Sequence, residues 1–240
     1  DRVSGERGGR APPGVFGEDR RASAVSGAIS GDCYSYGKVR SNGTGVCGQR
    51  DIKEAFLARL AERLQGAVIG DPLDEVTNFG PMVSEGQLGI VERYIAKGVE
   101  EGARLVTGGK RIAREGFYLE PTAFADVSAQ MIIAQEEIFG PVMCVLDFED
   151  EAEALARAND TDFGLAAGVF TADLTRAHRM VQGFEAGTCF INSYNDAPVE
   201  MPFGGVKMSG VGRENAKAAI EHYSQLKSVF VRMNACEAAF

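Results

Sequence analysis

The loop around the turn Ser41-Asn42-Gly43 holds the residues of this 240-residue sequence that bear most directly on covalent chemistry. Arg40 immediately precedes the turn, and its guanidinium group is permanently protonated, so it cannot act as a nucleophile. Cys47 is the nearest thiol. A thiolate there could attack an electrophilic carbon, whereas a thiol in apolar surroundings has a raised pKa and little reactivity. The sequence favours a Cys47 that is structural or accidental over a Cys47 that acts as a nucleophile.

Four other side chains stand in segments that could hold a ligand, and each has an ordinary structural explanation beside the functional one. Glu6 precedes Gly8-Gly9 and, on its own, is typical of an exposed glutamate in a glycine-rich terminus. Glu137 and Phe139 could be a helix-end carboxylate and a core aromatic residue. Tyr194 could be a solvent-facing loop tyrosine. Composition alone does not assign a role to any of them.

Cysteine and histidine usage excludes several classes of site. The number of cysteines is odd and none forms a Cys-x-x-Cys pair, so a disulfide framework or a zinc site is not expected. The two histidines, His178 and His222, are far apart and have no acid-histidine-serine pattern near them, which argues against a serine-hydrolase triad. Cysteine usage predicts the reducing cytoplasm as the compartment. The cysteines are Cys33, Cys47, Cys144, Cys189 and Cys236.

Composition predicts a globular protein that contacts neither nucleic acid nor membrane. With 45% hydrophobic residues, the chain can bury a substantial core in one large or two modest domains. A net charge of -9 disfavours nucleic acid, because neutralising phosphates needs an excess of Lys and Arg. No apolar stretch approaches the roughly 18 residues of a membrane helix. The sequence does not begin with Met, so we expect it to be a piece of a longer chain.

From residue 50 onward, hydrophobic periodicity predicts alternating helices and strands, which implies a mainly parallel sheet with helical connections. Asp51 and Glu54 resemble a capping box at the start of a first helix, and Ser84 with Gln87 opens a second. Pro121 suggests that the strand around it lies at a sheet edge. Further strands are predicted at 104–107, 143–148, 166–171 and 187–192, and further helices at 151–158, 173–182 and 214–222.

Four segments, in this order along the chain, resemble the aldehyde dehydrogenase family. Glu6-Arg7-Gly8-Gly9-Arg10-Ala11-Pro12 is similar to its Glu-Leu-Gly-Gly-Lys-x-Pro segment. Gly37-Lys38-Val39-Arg40 is similar to its Gly-Gln-x-Cys loop, with Arg40 at the position of the cysteine. Glu136-Glu137-Ile138-Phe139-Gly140-Pro141 matches its Glu-Glu-Ile-Phe-Gly-Pro signature. The late glycine loop, Pro202 to Glu214, completes the resemblance, which runs nearly end to end but corresponds only to the second half of the family's chain.

The resemblance implies a site and a cofactor. In the family, a cysteine thiolate attacks an aldehyde and NAD or NADP accepts the hydride. By position, Glu6 would be the general base and Arg40 would stand where the nucleophile is missing. Glu137 would bind the hydroxyls of the nicotinamide ribose and Phe139 would line the nicotinamide ring. We expect no metal site, and we expect this fragment not to bind the cofactor usefully because the domain that holds most of it is not in the sequence.

The segment Asn192 to Pro202 looks more like the betaine-aldehyde branch of the family than like the family in general. The substrate of that branch is a small aldehyde that carries a quaternary ammonium group, which aromatic faces bind by cation–π attraction. Tyr194 matches an aromatic residue of that branch's substrate funnel. The sequence contains no Trp that could complete an aromatic cage.

The resemblance also implies the organisation of the chain. Residues 1–205 would form an aldehyde-dehydrogenase-like α/β catalytic domain, with a parallel-rich sheet flanked by helices. Residues 206–240 would supply a C-terminal helix and an oligomerisation strand, Ser228 to Arg232, that pairs with a homo-oligomeric partner or an intact family subunit. The implied activity is oxidation of an aldehyde to a carboxylic acid, although Arg40 predicts an inactive fragment. Two alternatives stay open: a catalytically dead structural partner of an intact subunit, and esterase-type hydrolysis through Cys47.

Overall fold

The computed structural model describes residues 14–15, 21–32, 45–196 and 198–234. Within these ranges, seven strands form one sheet: β1 (Gly14–Val15), β2 (Gly45–Gln49), β3 (Arg104–Thr107), β4 (Thr122–Ala125), β5 (Val142–Phe148), β7 (Ala166–Phe170) and β8 (Thr188–Ile191). Two further strands, β6 (Phe163–Gly164) and β9 (Val206–Lys207), form a separate antiparallel pair. The strand order in the large sheet is β3-β4-β5-β2-β1-β7-β8. Neighbouring strands are parallel except for the antiparallel pair at one edge, β3 and β4.

Helices pack on both faces of the sheet, and the predicted α/β architecture with a parallel-rich sheet is confirmed. The helices are α1 (Arg21–Asp32), α2 (Lys53–Gln65), α3 (Glu85–Glu100), α4 (Ile132–Gln135), α5 (Glu151–Asn159), α6 (Leu174–Gly183) and α7 (Ala219–His222). Apolar residues of α1 and α2 cover one face of the sheet and pack in one cluster with Val46 of β2. The other face is covered by residues of α3, α5 and α6 together with Ile133 of α4.

Alternation along the strands explains why both faces carry a core. In β5, Met143 and Val145 pack in the cluster beneath α1 and α2, whereas Cys144, Leu146 and Phe148 pack in the opposite cluster. Successive side chains of a strand point to opposite faces, so a strand buried on both sides is apolar at nearly every position. Burial of each such side chain contributes about 1.5–3 kcal/mol.

Two local predictions from the sequence are wrong. Asp51 and Glu54 do not form a capping box: residues 50–52 form a 3-10 turn, and α2 begins without a side-chain cap. Glu54 instead accepts a hydrogen bond from Arg104 at 2.7 Å. The strand after Pro121 lies between β3 and β5 rather than at the edge. It tolerates the proline because β4 begins only at Thr122, so the missing N–H lies outside the ladder.

The C-terminal stretch departs most from expectation. The predicted helix at 214–222 is reduced to α7, because Asn215 and Ala216 adopt left-handed φ angles of 58° and 53°, which interrupt a helix. The predicted strand Ser228 to Arg232 is not formed: in the described part of this stretch, residues 224–233 have no regular secondary structure and exposed side chains. Its pairing with another subunit and the division of the chain at residue 205 stay predictions.

Candidate active site at one edge of the sheet

Three parallel strands of the sheet begin at the same edge. β1, β2 and β5 run in the same direction, with Gly14 opposite Cys47 and Gly45 opposite Cys144. The turn that carries Glu137 precedes β5 and therefore lies at the edge where these strands begin. Glu6 and Arg40 themselves lie outside the described residues. The order of these strands along the sequence does not reveal that they begin at the same edge of the sheet.

The turn before β5 has a specific geometry. Glu137 is half-buried, and Phe139 has a left-handed φ of 57° that is unusual for a residue with a side chain. The neighbouring Glu136 is held by α3, where the Tyr94 hydroxyl donates to its carboxylate at 2.6 Å. Glu136 thus has a structural partner on α3. The sequence did not identify Tyr94, because its helical spacing is indistinguishable from that of an ordinary surface residue.

Tyr194 is buried rather than facing solvent, with 5% of its surface exposed. Asn192 and Asn195 adopt φ angles of 56° and 63°, and between them the chain reverses after β8. The Tyr194 hydroxyl donates to the carbonyl of Ala166, the first residue of β7, at 3.4 Å, and its ring lies 5.1 Å from that of Phe190. Because of this reversal, Tyr194 lies at the edge of the sheet where β7 begins. That edge position is three strands from β5, roughly 14 Å at the usual strand spacing.

The late glycine loop covers the same edge beside β7 and β8. Ser209 accepts a hydrogen bond from the Gly164 amide at 3.0 Å, which ties the loop to the end of β6, shortly before β7 begins. The ammonium group of Lys207 donates to the carbonyls of Asn159 and Thr161 and pairs with Glu185 at 2.5 Å. Beneath the loop lies a cavity of about 150 Å³, lined by Leu165, Phe203, Arg213, Glu214, His222 and Tyr223 among others.

The described cysteines do not have the surroundings of a nucleophile. Cys47 is fully buried in β2, as expected, and desolvation raises the pKa of its thiol to about 12. At neutral pH such a thiol is almost entirely protonated. Burial also raises the pKa of the half-buried Cys189, while Cys144 is buried and donates to the Ile133 carbonyl. The structure therefore supports the structural interpretation of Cys47 over a relocated nucleophile.

Within the described ranges, no cluster of three or more His, Cys, Asp or Glu side chains has the arrangement of metal ligands. None of the helices in those ranges is both long and apolar enough to cross a bilayer.

Comparison with known proteins identifies the family of the chain. The model of the "Aldehyde dehydrogenase family" matches residues 1–229. The chain belongs to the aldehyde dehydrogenase family. It is 60% identical over 241 residues to the betaine aldehyde dehydrogenase of Sinorhizobium fredii, covering 99% of this chain and 50% of that protein. The chain thus spans about half the length of the curated relatives it matches.

Solved structures of family members share the fold. A NAD-dependent aldehyde dehydrogenase from Sinorhizobium meliloti superposes with a TM-score of 0.92 at 40% identity, over 97% of this chain and 46% of that one. The betaine aldehyde dehydrogenase of Staphylococcus aureus in complex with NAD⁺ gives a TM-score of 0.87 at 36% identity, over 90% and 44% of the two chains. The aldehyde-dehydrogenase-like α/β fold expected from the sequence is confirmed.

Proposed function

We propose that this chain is the catalytic half of an NAD(P)-dependent betaine aldehyde dehydrogenase and that, with Arg40 at the nucleophile position, it does not oxidise aldehydes by itself. The observation that carries the proposal is the 60% identity, over 99% of this chain, to a betaine aldehyde dehydrogenase twice as long. The chemistry of position 40 supplies the second part, because a guanidinium group has no lone pair with which to attack a carbonyl carbon.

The proposed reaction divides between groups that this chain has and groups that it lacks. Glu6 would activate water against a covalent thioester by accepting its proton. The missing thiolate at position 40 would attack the aldehyde to give a thiohemiacetal, and loss of a hydride from that carbon to the cofactor would leave the thioester. Cys47 does not replace it, since its thiol is buried and its pKa lies near 12. Restoring a cysteine at position 40 is therefore necessary for oxidation.

Glu137 and Phe139 fit the nicotinamide end of the cofactor. A half-buried carboxylate can accept charge-assisted hydrogen bonds from ribose hydroxyls, and an aromatic ring can line the nicotinamide. The bound cofactor would supply the hydride acceptor. The adenine, phosphates and second ribose would be held by residues outside this chain, so we expect isolated chain to bind NAD more weakly than micromolar. Calorimetry that detected micromolar binding would contradict this division of the site.

Tyr194 supports a cationic substrate. Its ring is fixed by the hydrogen bond to Ala166 and by contact with Phe190, and 5% of the residue is exposed. A quaternary ammonium group has no proton to donate, and aromatic faces are the usual way to bind it. The support for betaine aldehyde as the substrate therefore comes from the match of Tyr194 to the betaine-aldehyde branch and not from an open aromatic face in this structure.

A structural role is the second candidate, and two observations favour it. Arg40 removes covalent chemistry, and the stretch from Tyr223 to Met233 exposes large apolar side chains that a folded partner could cover. In this version the chain would persist by packing against an intact family subunit, with no turnover of its own.

Chimeras separate the two candidates. We would fuse the first half of the Sinorhizobium fredii relative to this chain, with and without Arg40→Cys, and measure NADH formation from betaine aldehyde. Only the chimera with Arg40→Cys should produce NADH; Arg40→Ser is the matched control. The single substitution in the isolated chain should remain inactive. NADH formation by the isolated Arg40→Cys chain, or none by the restored chimera, would overturn the proposal.

A further inference from the structure

The turn 136–140 has a backbone that requires external support. Phe139 adopts a left-handed φ of 57°, a conformation that side chains with a β-carbon disfavour. Such a conformation persists only where the surroundings hold it. The turn also carries the carboxylate of Glu137, so the direction of its backbone decides where that carboxylate lies. What holds the turn therefore bears on the site.

One stripe of α3 contacts the turn at three successive positions. Gln87 donates from Nε2 to the carbonyls of Ile138 and Phe139 at 3.4 and 3.1 Å. One helical step further, Val91 lies so close to Gly140 that a β-carbon there would be 2.5 Å from its side chain.

The stripe ends at Tyr94, which donates to the carboxylate of Glu136. Residues spaced by four and then three lie on one face of a helix, so Gln87, Val91 and Tyr94 form a single surface against the turn.

We propose that Gln87 is a positioning residue that fixes the left-handed turn at Phe139 and thereby directs Glu137 and Phe139 toward the nicotinamide riboside end of the cofactor. The inference rests on the proposed function for its last step only. Two carbonyls in succession need two donors, and a primary amide supplies both hydrogens from one nitrogen. Val91 sets the distance between helix and turn, and Gln87 sets the orientation of the carbonyls.

The first experiment tests the contact in the chain as it is. Gln87→Met keeps the length of the side chain and removes the donor. Hydrogen exchange of the backbone amides in 136–142 should become about fivefold faster, the factor that corresponds to loss of one ordinary hydrogen bond. Gln65→Met is the matched control, because Gln65 also donates from Nε2, to Thr107, away from the turn. Gln87→Lys retains a donor and should largely restore slow exchange.

Unchanged exchange in Gln87→Met, or an equal change in Gln65→Met, would overturn the contact as a support of the turn.

The second experiment tests the functional step in the Sinorhizobium fredii chimera that carries Arg40→Cys. Gln87→Met should raise the KM for NAD about fivefold and leave the KM for betaine aldehyde unchanged, with Gln87→Lys again close to the parent. A general loss of structure would raise both constants, so an equal rise in both, or none, contradicts the cofactor-positioning role. If the parent chimera is inactive, the proposed function fails while the exchange experiment still decides whether Gln87 holds the turn.

Discussion

Phenylalanines in two regions of the molecule have opposite surroundings. In the sheet and its helices, Phe56, Phe124 and Phe148 are completely buried, whereas Phe230 in the C-terminal stretch is 94% exposed. The first three lie in the two clusters that the helices close over the sheet. Phe230 lies where the described residues form no helix or strand. The sheet region therefore buries these aromatic rings with contacts from within the chain, and the C-terminal stretch does not bury Phe230.

The contrast extends to every large apolar side chain from Val199 onward that the structure shows as exposed. Exposed apolar side chains, where they form a patch, mark an interaction site or a risk of aggregation. The difference teaches that burial in the sheet region comes from contacts within the described residues, while the described residues do not cover these C-terminal side chains. Its exposed members are Val199, Met201, Met208, Val211, Ile220, Tyr223, Leu226, Val229, Phe230, Val231 and Met233.

The largest expected effect compares one phenylalanine from each region. Phe56→Ala should lower the free energy of unfolding by about 3–5 kcal/mol, because it empties a space at the centre of the cluster beneath α2. Phe230→Ala should change it by less than about 0.5 kcal/mol, since an exposed ring has little contact to lose. Urea denaturation of both variants measures the difference. Similar losses in the two would show that the C-terminal stretch is packed in solution and would break the comparison.

Self-association should follow from the exposed stretch. We expect the chain to form oligomers or soluble aggregates at tens of micromolar, and the double variant Leu226→Glu with Phe230→Glu to shift light scattering toward the monomer. The matched control is Leu73→Glu, which replaces a leucine that is 91% exposed in the sheet region. Co-expression with a full-length family subunit should improve solubility. A parent chain that is a monodisperse monomer at tens of micromolar would refute this prediction.

The smallest expected effect concerns charges that hold the sheet region. Lys53 and Arg104 donate to Asp126 at 2.6 and 2.7 Å and lower the pKa of its carboxyl group. A carboxyl group whose pKa is lower in the folded than in the unfolded state stabilises the fold at pH values above its unfolded-state pKa. That stabilisation is lost as the pH falls through the folded-state pKa. Asp126→Asn should cost about 1 kcal/mol at neutral pH, and the difference should shrink below about pH 4.

Asn suits this test because it tolerates the left-handed φ of 57° at position 126. Glu100→Gln, which removes the exposed pair with Lys97, is the control and should have no measurable effect at any pH. A constant cost of Asp126→Asn from neutral pH down to pH 3 would mean that the carboxylate charge does not stabilise the fold, and the effect would then have to come from packing.

The elements were predictable where one local signal dominates. Ser84 caps α3 through its hydroxyl, as the sequence predicts, and the apolar stripe Phe56, Leu57, Leu60 and Leu64 is buried as its helical spacing requires. The capping box at Asp51 failed because distant partners, Asp126 and Arg104, take the side chains of Lys53 and Glu54.

The site was predictable only by resemblance. Glu137 and Phe139 match a family segment, but neither residue type nor spacing predicts the left-handed backbone at Phe139. The contacts from Gln87 and Tyr94 could not be found, because these residues lie on a helix remote in sequence and show only ordinary helical periodicity. For Tyr194, the sequence left burial and exposure open, and the chain reversal between Asn192 and Asn195 decided it.

The sequence by itself determined the family-like segments, the absence of a thiol at position 40 and the α/β class, because each is a property of residue type and local order. Only the tertiary structure decided that β1, β2 and β5 begin at one edge of the sheet, and that the late glycine loop covers that edge beside β7 and β8. It also decided that Cys47 is buried with a pKa near 12. Strand order, direction and burial arise from contacts between residues far apart in the chain, which no local pattern encodes.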